Sequence, residues 1–190
     1  MDEILNALVN ATKYPSPARK DWRIGCIGSG FIMADCHLVS YRNAGFNPVA
    51  IASRTPAHAR AVAERHAIPR VYDTWQQLLE DDSLEILDVA YPPDQQLEIV
   101  REAVKRPNLK GILCQKPLEM SLERAREIAR LGEESGKAIA VNSNMRCDQS
   151  MRALKYLLDT GELGEPVLAT IEMRAISHWQ EFLKEYDKLE

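Results

Sequence analysis

An apolar segment that runs into two glycines spaced two apart most constrains the fold of this chain. Residues 23–27 (RIGCI) precede Gly28-Ser29-Gly30, and a helical pattern starts at Phe31. Gly28 permits a tight turn at the end of a strand, and Gly30 has no Cβ that would hold the backbone away from a phosphate. The first N–H groups of the following helix would then face the negative charge. The pattern predicts a strand, a phosphate-binding turn and a helix.

The third glycine of the dinucleotide-binding pattern G-x-G-x-x-G is missing, because Met33 stands in its place. That glycine serves close packing of the helix on the strand rather than contact with phosphate, and Ala34 could partly substitute for it. The motif is weakened while its anion-binding part is kept. A plain strand–turn–helix connection is the alternative interpretation.

After the glycines, short apolar strands alternate with amphipathic helices in the rhythm of βαβ units. The predicted strands are Arg23–Ile27, Val49–Ser53, Arg70–Tyr72, Ile86–Ala90, Gly111–Cys114 and Ala138–Val141. The predicted helices are Phe31–Asn43, Pro56–His66, Thr74–Glu80, Pro93–Lys105, Leu122–Ser135 and Ser150–Asp159. This order predicts an α/β protein with a Rossmann-type doubly wound parallel sheet. Its ligand crevice is expected at the carboxyl ends of the strands.

Composition and charge narrow the class of function. A formal net charge of −4 and the lack of a basic run disfavour binding to nucleic acid. The sequence shows neither a membrane-spanning apolar stretch nor a secretory signal pattern, so no membrane partner and a cytoplasmic location are expected. The cysteines are scattered without metal-ligand spacing, which predicts free thiols and no metal site. They are Cys26, Cys36, Cys114 and Cys147.

The choice between NAD and NADP is made at the end of the second strand. An acidic residue there would bind the ribose 2′-OH of NAD, whereas an arginine accepts the 2′-phosphate of NADP. Here the strand ends in Ser53, Arg54 and Thr55, with no carboxylate. Hydroxyls and a guanidinium can hold a phosphate, so NADP is favoured over NAD. The alternative is that Arg54 is only a solvated turn residue.

Three segments together resemble the family of glucose-fructose oxidoreductase, inositol dehydrogenase and MocA-type oxidoreductases. They are residues 28–32 followed by His37, residues 53–56, and residues 115–118. The resemblance extends from Trp22 over nearly the whole remaining chain. It implies a Rossmann domain followed by an open antiparallel sheet that shapes the substrate site. It also implies hydride transfer between a hydroxyl of a sugar, polyol or related compound and NAD(P).

The resemblance implies that Gln115, Lys116 and Pro117 occupy the place of the family's Glu-Lys-Pro motif. Lys116 would hydrogen-bond the reacting hydroxyl and stabilise the alkoxide as hydride leaves, from a partly buried position at a strand end. Gln115 cannot supply the negative charge of the family's acid. A cis bond before Pro117 is implied as well. The alternative for Lys116 is a strand-end lysine that reaches solvent.

Two further segments resemble the family in part, each directly after a predicted strand. Tyr91-Pro92-Pro93 resembles a Thr-Pro-Pro turn beside the nicotinamide, although glutamines follow where a histidine is common. Residues 142–146 resemble an Asn-x-Asn-x-Arg segment that borders cofactor and substrate. The predicted cofactor-binding residues are Gly28, Gly30, Phe31, Ile32, Ser53, Arg54, Thr55, Tyr91, Pro92, Gln115, Lys116, Asn144 and Arg146. The predicted catalytic residue is Lys116.

Three regions are expected along the chain: an N-terminal extension over residues 1–21, an NAD(P)-binding domain over 22–148, and residues 149–190. The last region is expected to hold a linker helix and, at Val167–Ile176, the first strand of a truncated substrate domain. The Asp and His that the resemblance implies for catalysis would follow Glu190, and His178 is not assumed to replace them.

Two functions follow as alternatives. The chain is either the cofactor half of a sugar or polyol oxidoreductase, or a non-catalytic dinucleotide-binding module or inactive truncated homologue. The expected partners are a small sugar or polyol, and either a second copy of the chain or a complementing C-terminal half.

Overall fold

The computed structural model describes residues 2–14 and 17–172, and its centre is a six-stranded parallel sheet. The strand order is β3-β2-β1-β4-β5-β6, in which the chain starts in the middle and winds outward in both directions. The strands are β1 (Ile24–Ile27), β2 (Ala50–Ala52), β3 (Arg70–Tyr72), β4 (Ile86–Val89), β5 (Gly111–Gln115) and β6 (Ala138–Asn142). All five neighbouring pairs are parallel, so every strand ends at the same edge.

The helices connect the strands and precede or follow the sheet. They are α1 (Asp2–Thr12), α2 (Leu38–Asn43), α3 (Pro56–Arg65), α4 (Trp75–Leu79), α5 (Pro93–Ala103), α6 (Leu122–Ser135) and α7 (Gln149–Asp159). A π-helical segment, Ile32–His37, leads directly into α2. A 3₁₀ turn, Asn144–Cys147, follows β6. No described helix has both the length and the apolar character that a membrane span requires.

Two apolar clusters cover the two faces of the sheet. On one face, Met33 and Leu38 and the alanines of α3 pack on Cys26 and Ile51. On the other, residues from α4, α5 and α6 pack on Leu87, Val89 and Ile112, with Leu97 and Ile128 among them. A parallel sheet buried on both faces needs strands that are apolar throughout, and the central strand β1 is buried at all four positions.

Local signals fix where several helices begin and end. The Thr74 hydroxyl accepts the Gln77 N–H and the Gln77 side chain reaches back to the Thr74 N–H, which together form a capping box at α4. Ser121 caps α6 by accepting the N–H of Arg124, and Gly136 ends that helix with φ +67°. Thr55 stands at the N-cap of α3 without a side-chain hydrogen bond, so Pro56 carries the start signal there.

The predicted doubly wound parallel sheet is confirmed, and its six predicted strands and the six predicted helices are present within one or two residues of their predicted ends. The region predicted as an N-terminal extension contains the helix α1, which is 11 residues long. The predicted strand Val167–Ile176 is wrong over residues 167–172, which form no strand because they pair with no strand of the described chain. Its remaining residues and His178 lie outside the described residues.

Contacts divide the chain into two compact units. The larger unit is Tyr14–Cys147 and contains the sheet, while the smaller unit brings α1 together with α7. Within the smaller unit, the Arg152 guanidinium donates to the Lys13 carbonyl at 3.0 Å. The boundaries predicted from the sequence, after residues 21 and 148, stay predictions.

Candidate functional site

The turn after β1 has a conformation that glycine alone adopts easily. Gly28 has φ +112°, and its N–H donates to the Ala52 carbonyl of β2 at 2.8 Å. A Cβ at Gly28 would lie 2.2 Å from the Ala90 carbonyl oxygen, so the turn also presses against the end of β4. The glycine therefore serves the close approach of three strand ends. Gly30 is exposed at the start of the helix, where its carbonyl accepts the Ala34 N–H at 2.9 Å.

The position of the missing third glycine is filled by core packing. Met33 is fully buried against the face that carries Cys26, and Ala34 is buried beside it. The helix in this stretch is wound as a π-helix, from Ile32 to His37. Phe31 is half-buried and Ile32 exposed, so both lie at the surface edge of the turn.

Hydroxyl and guanidinium groups at the end of β2 adjoin the glycine turn. The Ser29 hydroxyl donates to the Ser53 Oγ at 2.8 Å, and the Thr55 N–H donates to the same oxygen at 3.4 Å. The Arg54 side chain is exposed and its guanidinium carbon lies 5.6 Å from the centre of the Tyr91 ring, within the range of a cation–π contact. Burial raises the pKa of Tyr91 and the Arg54 charge opposes that shift, so the phenol stays neutral at physiological pH.

The loop that carries Lys116 is held by a buried glutamine of α5. The Gln96 amide nitrogen donates to the carbonyls of Gln115 and Pro117, both at 3.0 Å, and to that of Leu118 at 3.3 Å. The Gln96 carbonyl oxygen accepts the Gln115 N–H at 2.8 Å. The Lys116–Pro117 bond is cis, as the resemblance implied. Gln96 thus fixes the backbone from which Lys116 projects.

The surroundings of Lys116 differ from those expected. Its N–H donates to the side-chain oxygen of Gln115 at 2.7 Å, so Gln115 shapes the loop even without a negative charge. The Lys116 residue is exposed in this chain rather than partly buried. Lys116 directly follows the end of β5, and the next residue, Pro117, is exposed as well. Its amine is therefore available to a ligand at this edge.

A buried polar network lies beneath the same edge. Asp88 in β4 is fully buried, accepts the Tyr41 hydroxyl at 2.7 Å and lies 2.8 Å from Nδ1 of His37. Nε2 of His37 is 2.7 Å from the Asn142 amide nitrogen and 3.4 Å from that of Gln115. Burial and the charge and hydrogen bond of Asp88 raise the pKa of Tyr41.

The predicted site residues fall into connected and unconnected groups. Gly28, Ser53, Arg54 and Tyr91 meet around the glycine turn. Gln115 joins the network of His37, whereas Asn144 and Arg146 lie exposed in the turn after β6. Across the described part of the chain, their side chains make no hydrogen bond to the other predicted residues. Pro92 is half-buried and precedes α5.

Sequence reasoning did not assign Gln96, Asp88 or Tyr41 to the site. Asp88 carries a usable signal, because one acid inside an otherwise apolar strand must find buried partners. Gln96 carries none, since its partners are backbone groups some twenty residues later in the sequence.

The cysteines are free as predicted, and burial raises the pKa of Cys114 to about 12. In the described residues no three His, Cys, Asp or Glu side chains gather as metal ligands would.

These residues fit a dinucleotide. The turn at Gly28 leads into a helix start at the carboxyl edge, which is the arrangement that receives a pyrophosphate. Ser53 and Arg54 offer hydroxyl and guanidinium donors where the adenosine ribose would lie, with no carboxylate between Ala50 and Thr55. Lys116 and Asn142 stand farther along the same edge, at the ends of β5 and β6.

Comparison with known proteins agrees with a dinucleotide-binding fold. Residues 22–143 match the model of the GFO_IDH_MocA oxidoreductase family, described as an NAD-binding Rossmann fold. Inositol 2-dehydrogenase of Rubrobacter xylanophilus is 31% identical over 166 residues, which are 82% of this chain and 47% of that protein.

Two solved structures resemble the fold and share sequence with it. Myo-inositol dehydrogenase of Lactobacillus casei, in complex with NAD(H) and myo-inositol, has a TM-score of 0.70 at 30% identity. The match covers 77% of this chain and 43% of that one. An oxidoreductase of Agrobacterium radiobacter, in complex with NAD+, L-tartaric acid and magnesium, has a TM-score of 0.71 at 26% identity and coverages of 77% and 42%. The chain spans less than half the length of these relatives.

Proposed function

Because this chain belongs to the Gfo/Idh/MocA family of oxidoreductases, we propose that its larger unit binds NADP(H) for hydride exchange with a hydroxyl of a sugar or polyol. The observation that carries the proposal is the alignment on one sheet edge of the glycine turn, the hydroxyl and guanidinium groups after β2, and Lys116 after β5. The cofactor's pyrophosphate would lie at Gly28 and Gly30, with Phe31 and Ile32 beside it. The proposed place of action is the cytoplasm.

The substrate class is proposed from the relatives. Two proteins similar to this chain are named as dehydrogenases of inositol, a polyol. The exposed amide of Asn144 and guanidinium of Arg146 suit a ligand with many hydroxyls, because the amide both donates and accepts and the guanidinium donates. The proposed substrate is therefore a small polyhydroxylated compound.

The preference for NADPH rests on Arg54. Its guanidinium lies over the Tyr91 ring, and a phosphate on the adenosine ribose would add a charge-assisted partner there. The relatives solved with NAD+ or NAD(H) bind that cofactor in their own structures. The NADP preference is thus a proposal about this chain's own residues.

We expect NADPH to bind more tightly than NADH, and Arg54→Ala to weaken NADPH binding by about 10-fold or more while NADH binding changes little, since a hydrogen bond to a charged group is worth about 1.5–3 kcal/mol. Fluorescence titration or calorimetry measures both constants. Arg60→Ala is the matched control, because Arg60 is an exposed arginine that pairs with Asp73 instead. Equal binding of the two cofactors by the unsubstituted chain would contradict the proposal.

Lys116 is proposed to stabilise the substrate oxygen as hydride leaves. In a preparation that oxidises a polyol with NADP+, Lys116→Ala is expected to leave cofactor affinity within a few fold and to lower turnover by about 100-fold or more. Lys110→Ala is the control, because Lys110 is also exposed but precedes β5 at the opposite edge of the sheet. Full turnover by the Lys116 variant would give this lysine a structural role.

The second candidate function is a non-catalytic dinucleotide-binding module. The neutral Gln115, which replaces the acid of the Glu-Lys-Pro motif, is the observation in its favour. The two candidates share tight NADPH binding and differ in turnover. Cofactor binding without polyol oxidation in any preparation that contains this chain would favour the module.

A further inference from the structure

Asp88 is a buried acid that the proposed chemistry does not use. Its side chain has no exposed surface, and the other residues of β4 are apolar. Burying a carboxylate is costly unless hydrogen bonds compensate for the lost water. Tyr41 and His37 both supply such bonds, at 2.7 and 2.8 Å. The two partners come from one helical stretch, so Asp88 ties that stretch to the sheet.

The carboxylate determines which nitrogen of His37 carries a proton. An ionised carboxylate accepts hydrogen bonds and donates none, so Nδ1 of His37 must be the donor toward Asp88. In the neutral imidazole, Nε2 is then a bare acceptor. The amide nitrogens of Asn142 and Gln115 both face this Nε2, as an acceptor requires.

The direction of these two amides follows from His37. With its nitrogen turned to the imidazole, Gln115 directs its oxygen to the Lys116 N–H at 2.7 Å. Asn142 is held the same way, and its Oδ1 has no hydrogen-bond partner among the described residues. Asn142 is half-buried and is the last residue of β6, at the edge where Lys116 also lies. An acceptor oxygen is thereby left for a ligand at this edge.

We propose that Asp88 and His37 are positioning residues that hold Asn142 Oδ1 as the acceptor for a hydrogen-bond donor on the bound ligand. This inference rests on the proposed function for the nature of that ligand. Either the carboxamide N–H of the nicotinamide or a hydroxyl of the polyol supplies such a donor. If His37 carried its proton on Nε2 instead, the Asn142 amide would turn around. Its NH₂ group would then face the donor of the ligand.

The first experiment determines the tautomer of His37 by nitrogen NMR of the imidazole, with the His37→Gln spectrum identifying the signal. The expected result is a proton on Nδ1 in the unsubstituted chain and a shift toward the Nε2-protonated tautomer in Asp88→Asn. Replacing a buried acid by its amide in this way keeps the geometry and changes the tautomer. Tyr41→Phe is the control, because it removes a bond to Asp88 without changing what His37 faces. A proton on Nε2 in the unsubstituted chain would overturn the positioning role.

The second experiment measures binding with Asn142→Ala, a change at a half-buried strand end that keeps the buried pair intact. The probes are NADPH, 2′-phospho-ADP-ribose, which lacks the nicotinamide, and myo-inositol added to the NADP+ complex. Loss of one hydrogen bond should lower the affinity for the ligand that makes it by about threefold to tenfold. Weaker NADPH binding with unchanged 2′-phospho-ADP-ribose binding identifies the carboxamide as the donor. Weaker myo-inositol binding alone identifies the polyol.

Unchanged binding of all three probes would overturn the ligand role of Asn142. A chain that binds neither nucleotide in its unsubstituted form would overturn the proposed function and, with it, this ligand role. The tautomer spectrum would still decide whether Asp88 and His37 orient the two amides. The two failures are therefore distinguishable.

Discussion

Single residues fix the carboxyl edge of the sheet at points where the backbone has little freedom. Gly28 brings the turn against the carbonyl of Ala90, and Gln96 makes four hydrogen bonds to the backbone around Lys116. Backbone held by a side chain that is itself buried loses little further entropy when a ligand binds. Interactions within the chain itself therefore hold this edge of the sheet.

Gly28→Ala is expected to destabilise the chain by about 2–4 kcal/mol, because it combines a strained φ with a clash against backbone. The midpoint of urea unfolding measures the effect. Gly136→Ala is the matched control, since Gly136 also has a positive φ, +67°, but nothing within 4 Å of the added Cβ. Equal destabilisation by the two changes would show that the contact with Ala90 is unimportant.

At this scale the sequence predicts some features of the site and not others. The demand for glycine at position 28 follows from the strand and the G-x-G spacing, and the structure gives that glycine φ +112°. The roles of Gln96 and Asp88 depend on tertiary contacts with residues far away in the chain, such as Pro117 and Tyr41. No local pattern encodes such contacts.

At the scale of elements, hydrophobic periodicity predicts the sheet and its helices almost completely. It does so because a parallel strand buried on both faces is an uninterrupted apolar run, as in β1 and β2. Periodicity does not reveal the π-helical winding of Ile32–His37, within which Met33 is buried. It also mistakes the apolar stretch from Val167 for a strand, since alternation describes a face and does not supply a pairing partner.

The pairing of α1 with α7 leads to a prediction for hydrogen exchange. Leu8 is half-buried on α1. Leu8→Ala should remove about 1–2 kcal/mol of stabilisation from buried apolar surface. Because α1 packs on α7, amide exchange in α7 should then become faster. Amides of β1 and β4, in the other unit, should keep their rates. Leu5→Ala is the control because Leu5 is 57% exposed on the same helix. Equal acceleration by both changes would contradict the packing of Leu8 in this unit.

At the scale of the whole chain, the predicted cofactor-binding residues all belong to one unit, Tyr14–Cys147. The proposed nucleotide binding would therefore use groups that all lie in one compact unit. An ion pair within this unit lies behind the Lys116 loop. The Glu119 carboxylate pairs with Arg124 of α6 at 2.7 Å, and the same guanidinium donates to the Asp94 carbonyl of α5 at 3.2 Å. One buried acid thus ties the loop to two helices.

Glu119 should make the stability of the chain fall at low pH. The hydrogen bond from Arg124 holds the pKa of Glu119 below its usual value, so its stabilising effect is complete above the unfolded pKa, near 4.5. That effect is lost as pH falls through the lower pKa of the folded state, because the folded form must then accept a proton it binds weakly. Glu119→Gln should accordingly be less stable than the unsubstituted chain at pH 7 and lose less stability below pH 4.5.

Urea unfolding at pH 7, 5, 4 and 3 measures how the free energy of unfolding changes with pH, both for the unsubstituted chain and for Glu119→Gln. Glu123→Gln is the matched control, since it makes the same change at an exposed residue on the first turn of α6. The side chain of Glu119 has no exposed surface, so salt should screen its pair with Arg124 less than it screens surface pairs. Parallel slopes for the Glu119 variant and the unsubstituted chain would contradict the tie between the Lys116 loop and α6.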